Sequence, residues 1–419
     1  MENEEVEKPH VVEKRSPFDI EVSLASDHAL GAPGTVGVVT WNVDVDTIES
    51  AGIEFGLDTD YGMTAPVDLD APDHRTLLLG MKPYSEYHFR IVVDDGTDIV
   101  ASEDMVLSTG PATNLVNVDR FEVFDEEAHE RGFMVTAYFK AGVSKEELDM
   151  GGATVFIMDA DGDIVWWYVA AKSSIGRARM SEDGKNMWMI NSGPAGALEW
   201  VTLDTLEGEV FELGASHDMT AVSGSTMAYL DYSESDCDSI FEIGPDGVPT
   251  EVFESEGVFE SDQCHVNALR YSKTEDVYTL SNHRTDILVV NRDGEVEWRL
   301  SDIVPGGSNE DWGGAQHGHQ LLDESILLFA NSGGKGSTAT EYAFDGTRIM
   351  HYDSGYWSYN YGDVQRLPGG NTLVTYSNAG VIQEIDPDGE VVMEIELNQT
   401  IGYVSWRRSL YGPPEDILL

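Results

Sequence analysis

Six times along this chain an apolar strand runs into an acidic turn carrying a glycine and then into a second apolar strand. The copies span residues 157–166, 203–210, 243–248, 290–298, 343–349 and 385–391. Their glycines, Gly162, Gly208, Gly247, Gly294, Gly346 and Gly389, stand 39 to 52 residues apart. A unit of that size cannot bury an apolar face alone, so the copies must stack, and the spacing is the blade period of a β-propeller. Six turns predict six blades.

Between the turns lies a second periodic strand, at 187–190, 227–230, 277–280, 326–329 and 372–375, each following a polar turn and a short strand. Alignment of the copies brings Arg177, His217, His265, His317 and Asp363 to nearly the same phase. Equal phase in a propeller is equal height around the central channel, so residues far apart in sequence converge on one spot. His317, in Gln316-His317-Gly318-His319, stands just before an apolar run that ends in a glycine turn. A side chain there is held by the strand behind it, as a nucleophile requires.

The remainder of the chain sets the limits. Residues 1–15 are polar and charged and read as a flexible tail. Residues 16–112 show short alternating strands with Gly, Pro and Asp turns, the pattern of a β-sandwich, and residues 113–419 hold the six copies. The stretch 79–91, Leu-Gly-Met-Lys-Pro-Tyr-Ser-Glu-Tyr-His-Phe-Arg-Ile, resembles the corner between strands E and F of fibronectin type III domains, and Trp41 would be the core tryptophan. The expected fold is all-β, a fibronectin type III-like sandwich followed by a six-bladed propeller. Acidic residues outnumber basic ones 77 to 24, for a net charge of −53, which excludes nucleic acid and anionic lipid as main partners. No apolar run is long enough for a membrane span. The acidic, lysine-poor surface fits a salt-rich habitat or the outside of a cell, and a homo-oligomer is compatible with it. The two cysteines, Cys237 and Cys264, are read equally well as a bridge or as free thiols. The start, Met1-Glu2-Asn3-Glu4-Glu5, has no apolar core of a secretory signal.

Four segments carry a resemblance: His265-Val266-Asn267, Gln316-His317 with Phe329-Ala330-Asn331-Ser332-Gly333, Gly362-Asp363-Val364 with Asn371-Thr372-Leu373, and Trp406-Arg407-Arg408-Ser409-Leu410-Tyr411. Over residues 150–412 the chain resembles bacterial aryl-sulfate sulfotransferases, six-bladed propellers preceded by a small β-sandwich. The resemblance implies a two-step sulfuryl transfer that needs no nucleotide cofactor (PAPS-independent), between small-molecule aryl sulfates and phenols, in the periplasm or outside the cell. His317 would attack sulfur to give a sulfohistidine, His265 and Asn267 would surround the transferring oxygens, and His217, oriented by Asp218, would move the phenolic proton. The family carries an arginine in the strand after His-x-Asn, where this chain reads Leu280-Ser281-Asn282-His283-Arg284-Thr285-Asp286-Ile287. In that alignment Asn282 takes the arginine's place, and alternation sends either His283 or Arg284, not both, into the channel.

Other readings of the same residues remain. His217, His265, His317 and His319 sit on several strands and could ligate a transition metal, but no local spacing such as His-x-x-x-His supports that, and neither a metal nor a cofactor is expected. His319, two residues from His317, shares its strand face if the strand has begun, and with Asn267, His283 and Arg284 it completes the expected substrate-binding set. Asp159-Ala160-Asp161-Gly162-Asp163 lacks the downstream glutamate of a calcium loop and reads as a hairpin turn. Asp231, Glu234, Asp236 and Asp238 read as a solvated loop. Tyr356, Trp357, Tyr359 and Tyr361 would line an aromatic pocket or pack between blades. The alternative from another class is a non-catalytic extracellular propeller that binds a partner or serves a structural role.

Overall fold

The computed structural model describes residues 18–25, 34–139, 152–192, 196–232, 237–258, 265–283, 286–304, 315–331 and 336–414. The expected tail at 1–15, and Arg284, Cys264, Glu234 and Asp236, lie outside the described residues. The chain divides into two compact units, Met1–Ala112 and Thr113–Leu419.

In the first unit, Phe18–Leu24, Gly37–Val43 and Thr76–Leu78 form one antiparallel sheet. Met63–Pro66, Ser50–Gly56, Glu86–Asp94, Ile99–Ala101 and Met105–Ser108 form a second. Residues alternate between buried and half-buried along Glu86–Asp94, the two-residue period of a strand with one face in the core. A Cβ placed on Gly37 would strike Leu107 and Met81, so the first sheet lies against Leu107 of the second with no room for a larger residue. Trp41 is buried. At the 79–91 corner Tyr87 is the packing tyrosine: its hydroxyl accepts from Lys82 N at 2.9 Å.

The second unit contains, among the described residues, six antiparallel sheets of four or five strands, the blades of a propeller. The acidic glycine turns are the outer hairpins, and their composition explains their shape. Asp159 Oδ1 accepts from the Asp161 and Asp163 amides at 2.9 Å, Asn291 Oδ1 from Asp293 and Glu295, and Asp386 Oδ1 from Asp388 and Glu390. In each the following glycine takes a positive φ, 86° at Gly162, 80° at Gly294 and 86° at Gly389. This is the turn chemistry in which a side-chain oxygen starts the bend and only glycine finishes it without strain.

The ring is closed at both ends of the unit. The C-terminal strand Ser405–Arg407 joins the sheet of Phe133–Ala137, Thr154–Met158 and Ile164–Val169, and Val118–Val123 adds a fifth strand to the sheet ending in Val391–Leu397. Gln365 ties these two sheets together, accepting from Trp406 N and donating to Trp406 O. The strands nearest the axis are Ile175–Met180, Ala215–Ser223, Val266–Ser272, Gln316–Leu321, Asp363–Arg366 and Ser405–Arg407. No described helix is long and apolar enough to cross a membrane.

Candidate active site

Where an axial strand enters its blade, the ladder breaks. Pairing skips Gly176, then His217-Asp218, then Asn267, then His317-Gly318, so four consecutive blades carry a β-bulge at one height. A bulge re-aims its side chain out of the pleat. The structural equivalents are therefore Gly176, His217, Asn267 and His317. His265 lies two residues earlier, while Arg177, Asp218 and Asp363 lie one position deeper.

Two layers follow. In the outer one the rings of His217 and His265 are 4.6 Å apart, His265 and His283 5.4 Å, and His283 and His317 5.7 Å. Tyr361 faces His317 at 6.0 Å and His217 at 6.5 Å. The structure thus brings together His217, His265, His283 and His317. Asn267 touches them from below, donating from Nδ2 to His283 Nδ1 at 2.7 Å and to the Gln316 carbonyl at 2.9 Å. His283 takes the channel-facing position. His319 does not join the ring: its Nε2 meets Thr279 Oγ1 at 2.7 Å, among the charges of the inner layer.

Hydrogen bonds assign the protons. Asn331 donates from Nδ2 to the carbonyls of Ser358 and Tyr361, at 2.6 and 2.8 Å, which turns its Oδ1 toward His317. His317 Nδ1 sits 2.5 Å from that oxygen and must donate, leaving the lone pair on Nε2. Burial pushes His317 down to about 3, so it is a neutral imidazole at physiological pH. His283 accepts at Nδ1 and therefore carries its proton on Nε2, as a donor. His217 Nδ1 faces Ser216 Oγ at 2.7 Å, and its Nε2 is 3.1 Å from His265 Nε2. Burial, with His265 beside it, pushes His217 down to about 3. Burial also raises the Tyr361 phenol to about 12, so it remains a donor.

Two conformational strains mark the same place. His217 and Tyr361 hold φ at 45° and 53°, in the left-handed region, at a cost of roughly 1–3 kcal/mol each.

Beneath the imidazoles lies a buried ion cluster. Arg177 grips Asp218 through Nε and Nη2 and reaches Asp363 at 2.9 Å, and Arg270 reaches the other Asp363 oxygen at 2.6 Å. The Arg177 guanidinium lies 4.4 Å from the centre of the Tyr403 ring. Burial pushes the Asp218 carboxyl up, but Arg177 and Arg270 outweigh it and hold it below the usual carboxylate range. Arg177 and Arg270 are thus paired with the two carboxylates of this layer. Asp218 is committed to Arg177 and to the amides of Met219 and Leu269, at 2.8 and 3.0 Å. The residue that holds His217 is Ser216, not Asp218 as the sequence suggested, because adjacent residues at the bulge point to different layers.

Of the acidic set read as a solvated loop, the described members Asp231 and Asp238 are buried. Asp238 faces the site, accepting from Ser216 Oγ at 2.6 Å and from Val266 N at 2.9 Å. Its position at the start of a buried strand was the available signal. Trp357 donates from Nε1 to the Asn331 carbonyl at 3.3 Å and is half exposed with Tyr359 beside it, whereas Tyr356 packs on Tyr376. Cys237, next to Asp238, is disulfide-bonded.

The site is a cluster of imidazoles at the axial strands of a six-bladed propeller, in which His217 and His317 are both held neutral and His317 keeps its lone pair on Nε2. Residues 235–398 match the arylsulfotransferase (ASST) family model. The segment includes His265, Asn267, His283, His317 and Asn331. Among solved structures, the chain is similar to TolB from Acinetobacter baumannii at 14% identity and a TM-score of 0.48, covering 78% of this chain and 80% of that one. A protein of unknown function from Bacteroides caccae is 13% identical with a TM-score of 0.48, over 67% of this chain and 100% of its own. A catalytically inactive virginiamycin B lyase from Staphylococcus aureus with quinupristin is 11% identical with a TM-score of 0.44, over 65% and 87%. No curated protein matches the chain.

Proposed function

We propose that this protein transfers a sulfuryl group from a phenolic sulfate ester to a phenolic acceptor without PAPS, through a sulfohistidine on His317 Nε2. The observation that carries the reading is the bond from His317 Nδ1 to an Asn331 amide whose orientation is set by two carbonyls. A neutral imidazole with its proton locked on the far nitrogen is a competent nucleophile at neutral pH.

In the first step the Nε2 lone pair forms the N–S bond as the S–O bond to the aryl group breaks, and the phenolate leaves with that electron pair. In the second the acceptor oxygen forms a new S–O bond, the N–S pair returns to Nε2, and the phenolic proton goes to a base. The charge on the transferring group spreads over its oxygens and calls for donors, which His283 Nε2–H and the Tyr361 hydroxyl supply. His217 is held neutral and suits the base of the second step better than an acid in the first. His265, paired with it, completes the proton path, and Asn267 fixes His283. His319 supports the floor, and Arg284 is left as a further anion-binding candidate. The disulfide at Cys237 supports a periplasmic or extracellular setting.

A binding propeller is the second reading, favoured by one observation: Arg177 and Arg270, the described arginines nearest the site, are both tied to carboxylates. Steady-state kinetics with nitrophenyl sulfate and a second phenol separate the two. The transferase gives parallel double-reciprocal lines, and His317→Ala loses at least about 10³-fold in turnover. Absence of phenol release with any aryl sulfate leaves the binding reading.

A further inference from the structure

Four of the described hydrogen-bonding groups around the imidazole ring fall in one line: Asp238, Ser216, His217 and His265. The Ser216 hydroxyl has a single proton and gives it to Asp238 Oδ1 at 2.6 Å. The Ser216 oxygen, 2.7 Å from His217 Nδ1, can then only accept, so Nδ1 bears the proton. That leaves a lone pair on His217 Nε2, facing His265 Nε2 at 3.1 Å, and for this contact to be a hydrogen bond His265 must hold its proton there.

We propose that Asp238 and Ser216 are positioning residues that fix His217 in the tautomer required of the base for the second half-reaction. This rests on the transferase reading above. The carboxylate is itself anchored: Oδ2 accepts from Val266 N at 2.9 Å, its backbone carbonyl accepts from Ser255 Oγ, and the residue is 1% exposed. Packing alone does not call for an acid here, because an asparagine would satisfy Val266 N without the cost of burying a charge. Burial pushes the Asp238 carboxyl up to about 6, so it is mostly ionised at neutral pH and accepts from Ser216. His217 also holds φ at 45°, which the ladder tolerates at the bulge and which turns its ring toward His265. On discharge the phenolic proton goes to His265 Nδ1 as the His265 Nε2 proton moves to His217 Nε2, the phenol oxygen bonds to sulfur, and the N–S electron pair returns to His317.

The test compares Ser216→Ala, Asp238→Asn and Ser216→Thr, the last keeping the hydroxyl, each checked for a parent-like melting profile. The enzyme is loaded with sulfuryl from nitrophenyl sulfate and discharged into two acceptors, a weakly acidic alkylphenol and a nitrophenol already ionised at the assay pH. The expected result is a loss of about 10²-fold with alkylphenol for Ser216→Ala and Asp238→Asn, recovery in Ser216→Thr, and a loss at least about tenfold smaller with nitrophenol, which brings no proton. Equal losses with both acceptors, or none, overturn the proposal. If the parent forms no sulfohistidine, the transferase reading fails on its own, and ¹⁵N NMR of the imidazoles decides the relay. Protonation of His217 at Nδ1 in the parent and its loss in Ser216→Ala support it, and protonation at Nε2 in the parent overturns it.

Discussion

Asn331 and His317 show how little separates a structural histidine from a nucleophile. The ring is 3% exposed and would do nothing distinctive with its proton on Nε2, and what fixes it on Nδ1 is one amide oxygen. Asn331→Ala should cut the rate of phenol release on the order of 10²-fold, less than the roughly 10⁴-fold that a locked wrong tautomer costs in a Ser-His-Asp triad, because alanine leaves the His317 ring either tautomer. It should also cost about 1–3 kcal/mol in thermal unfolding, since the Ser358 and Tyr361 carbonyls lose their donor. The same burial predicts a pH signature. With His317 pushed down to about 3, phenol release should stay level from about pH 8 to about pH 5, with no acid limb at the ordinary histidine value near 6.5. Stability carries the matching sign for His319, also pushed down to about 3 by burial. The folded pKa is depressed, so between about 6.5 and about 3 the unfolded chain binds the extra proton and this contribution is lost as pH falls. His319→Gln should therefore have a shallower loss of stability on acidification than the parent, read as the difference between their denaturant midpoints at pH 7 and pH 5. At this scale the sequence was informative about residue types: His217, His265, His283 and His317 were all legible as candidates. Asp238 was not, because an aspartate among acidic neighbours looks solvated until the strand that buries it is known.

The blade supplies what single residues cannot. Strand periodicity and turn glycines made the blades countable from sequence, since five of the six outer hairpins close on a positive-φ glycine, and in the sixth Leu206 takes that conformation just before Gly208. The bulges at the axial strands were not countable, and they shift the phase by one or two residues. For that reason Arg177 and Asp363, placed by alignment at the height of the histidines, form the floor beneath them. Gly318 reports the tightness of this arrangement. A Cβ there would come within 2.5 Å of Asp363 Cα and 2.9 Å of the Gly362 carbonyl, and Gly318 N donates to that carbonyl at 3.0 Å. Gly318→Ala must push two axial strands apart, and we expect a loss of roughly 1–3 kcal/mol together with most of the activity, measured by urea unfolding and phenol release. Retained stability and rate would mean that the bulge is not under this constraint.

At the scale of the propeller, four of the six blades meet in a floor of opposed charges. Arg177 joins Asp218 of one blade to Asp363 of another, and Arg270 of a third blade holds Asp363 from its other side. Arg177→Met would leave Asp218 without its main counter-charge, and breaking such a pair costs about 3–5 kcal/mol, observable as a lowered denaturant midpoint. The family resemblance was legible because the motifs flanking His265 and His317 are local in sequence. The ion floor was not, since its members come from blades more than forty residues apart. A net charge of −53 adds a condition on any assay: the repulsion is screened by salt, so stability should rise with ionic strength. The central claim, that His317 carries the sulfuryl group, is tested most directly by the intact-protein mass after brief mixing with nitrophenyl sulfate, beside His317→Ala. The account predicts a gain of one sulfuryl group in the parent alone, mapped to the His317 peptide and discharged by added phenol. An unmodified parent that nonetheless releases phenol, or an adduct that persists in His317→Ala, would contradict it.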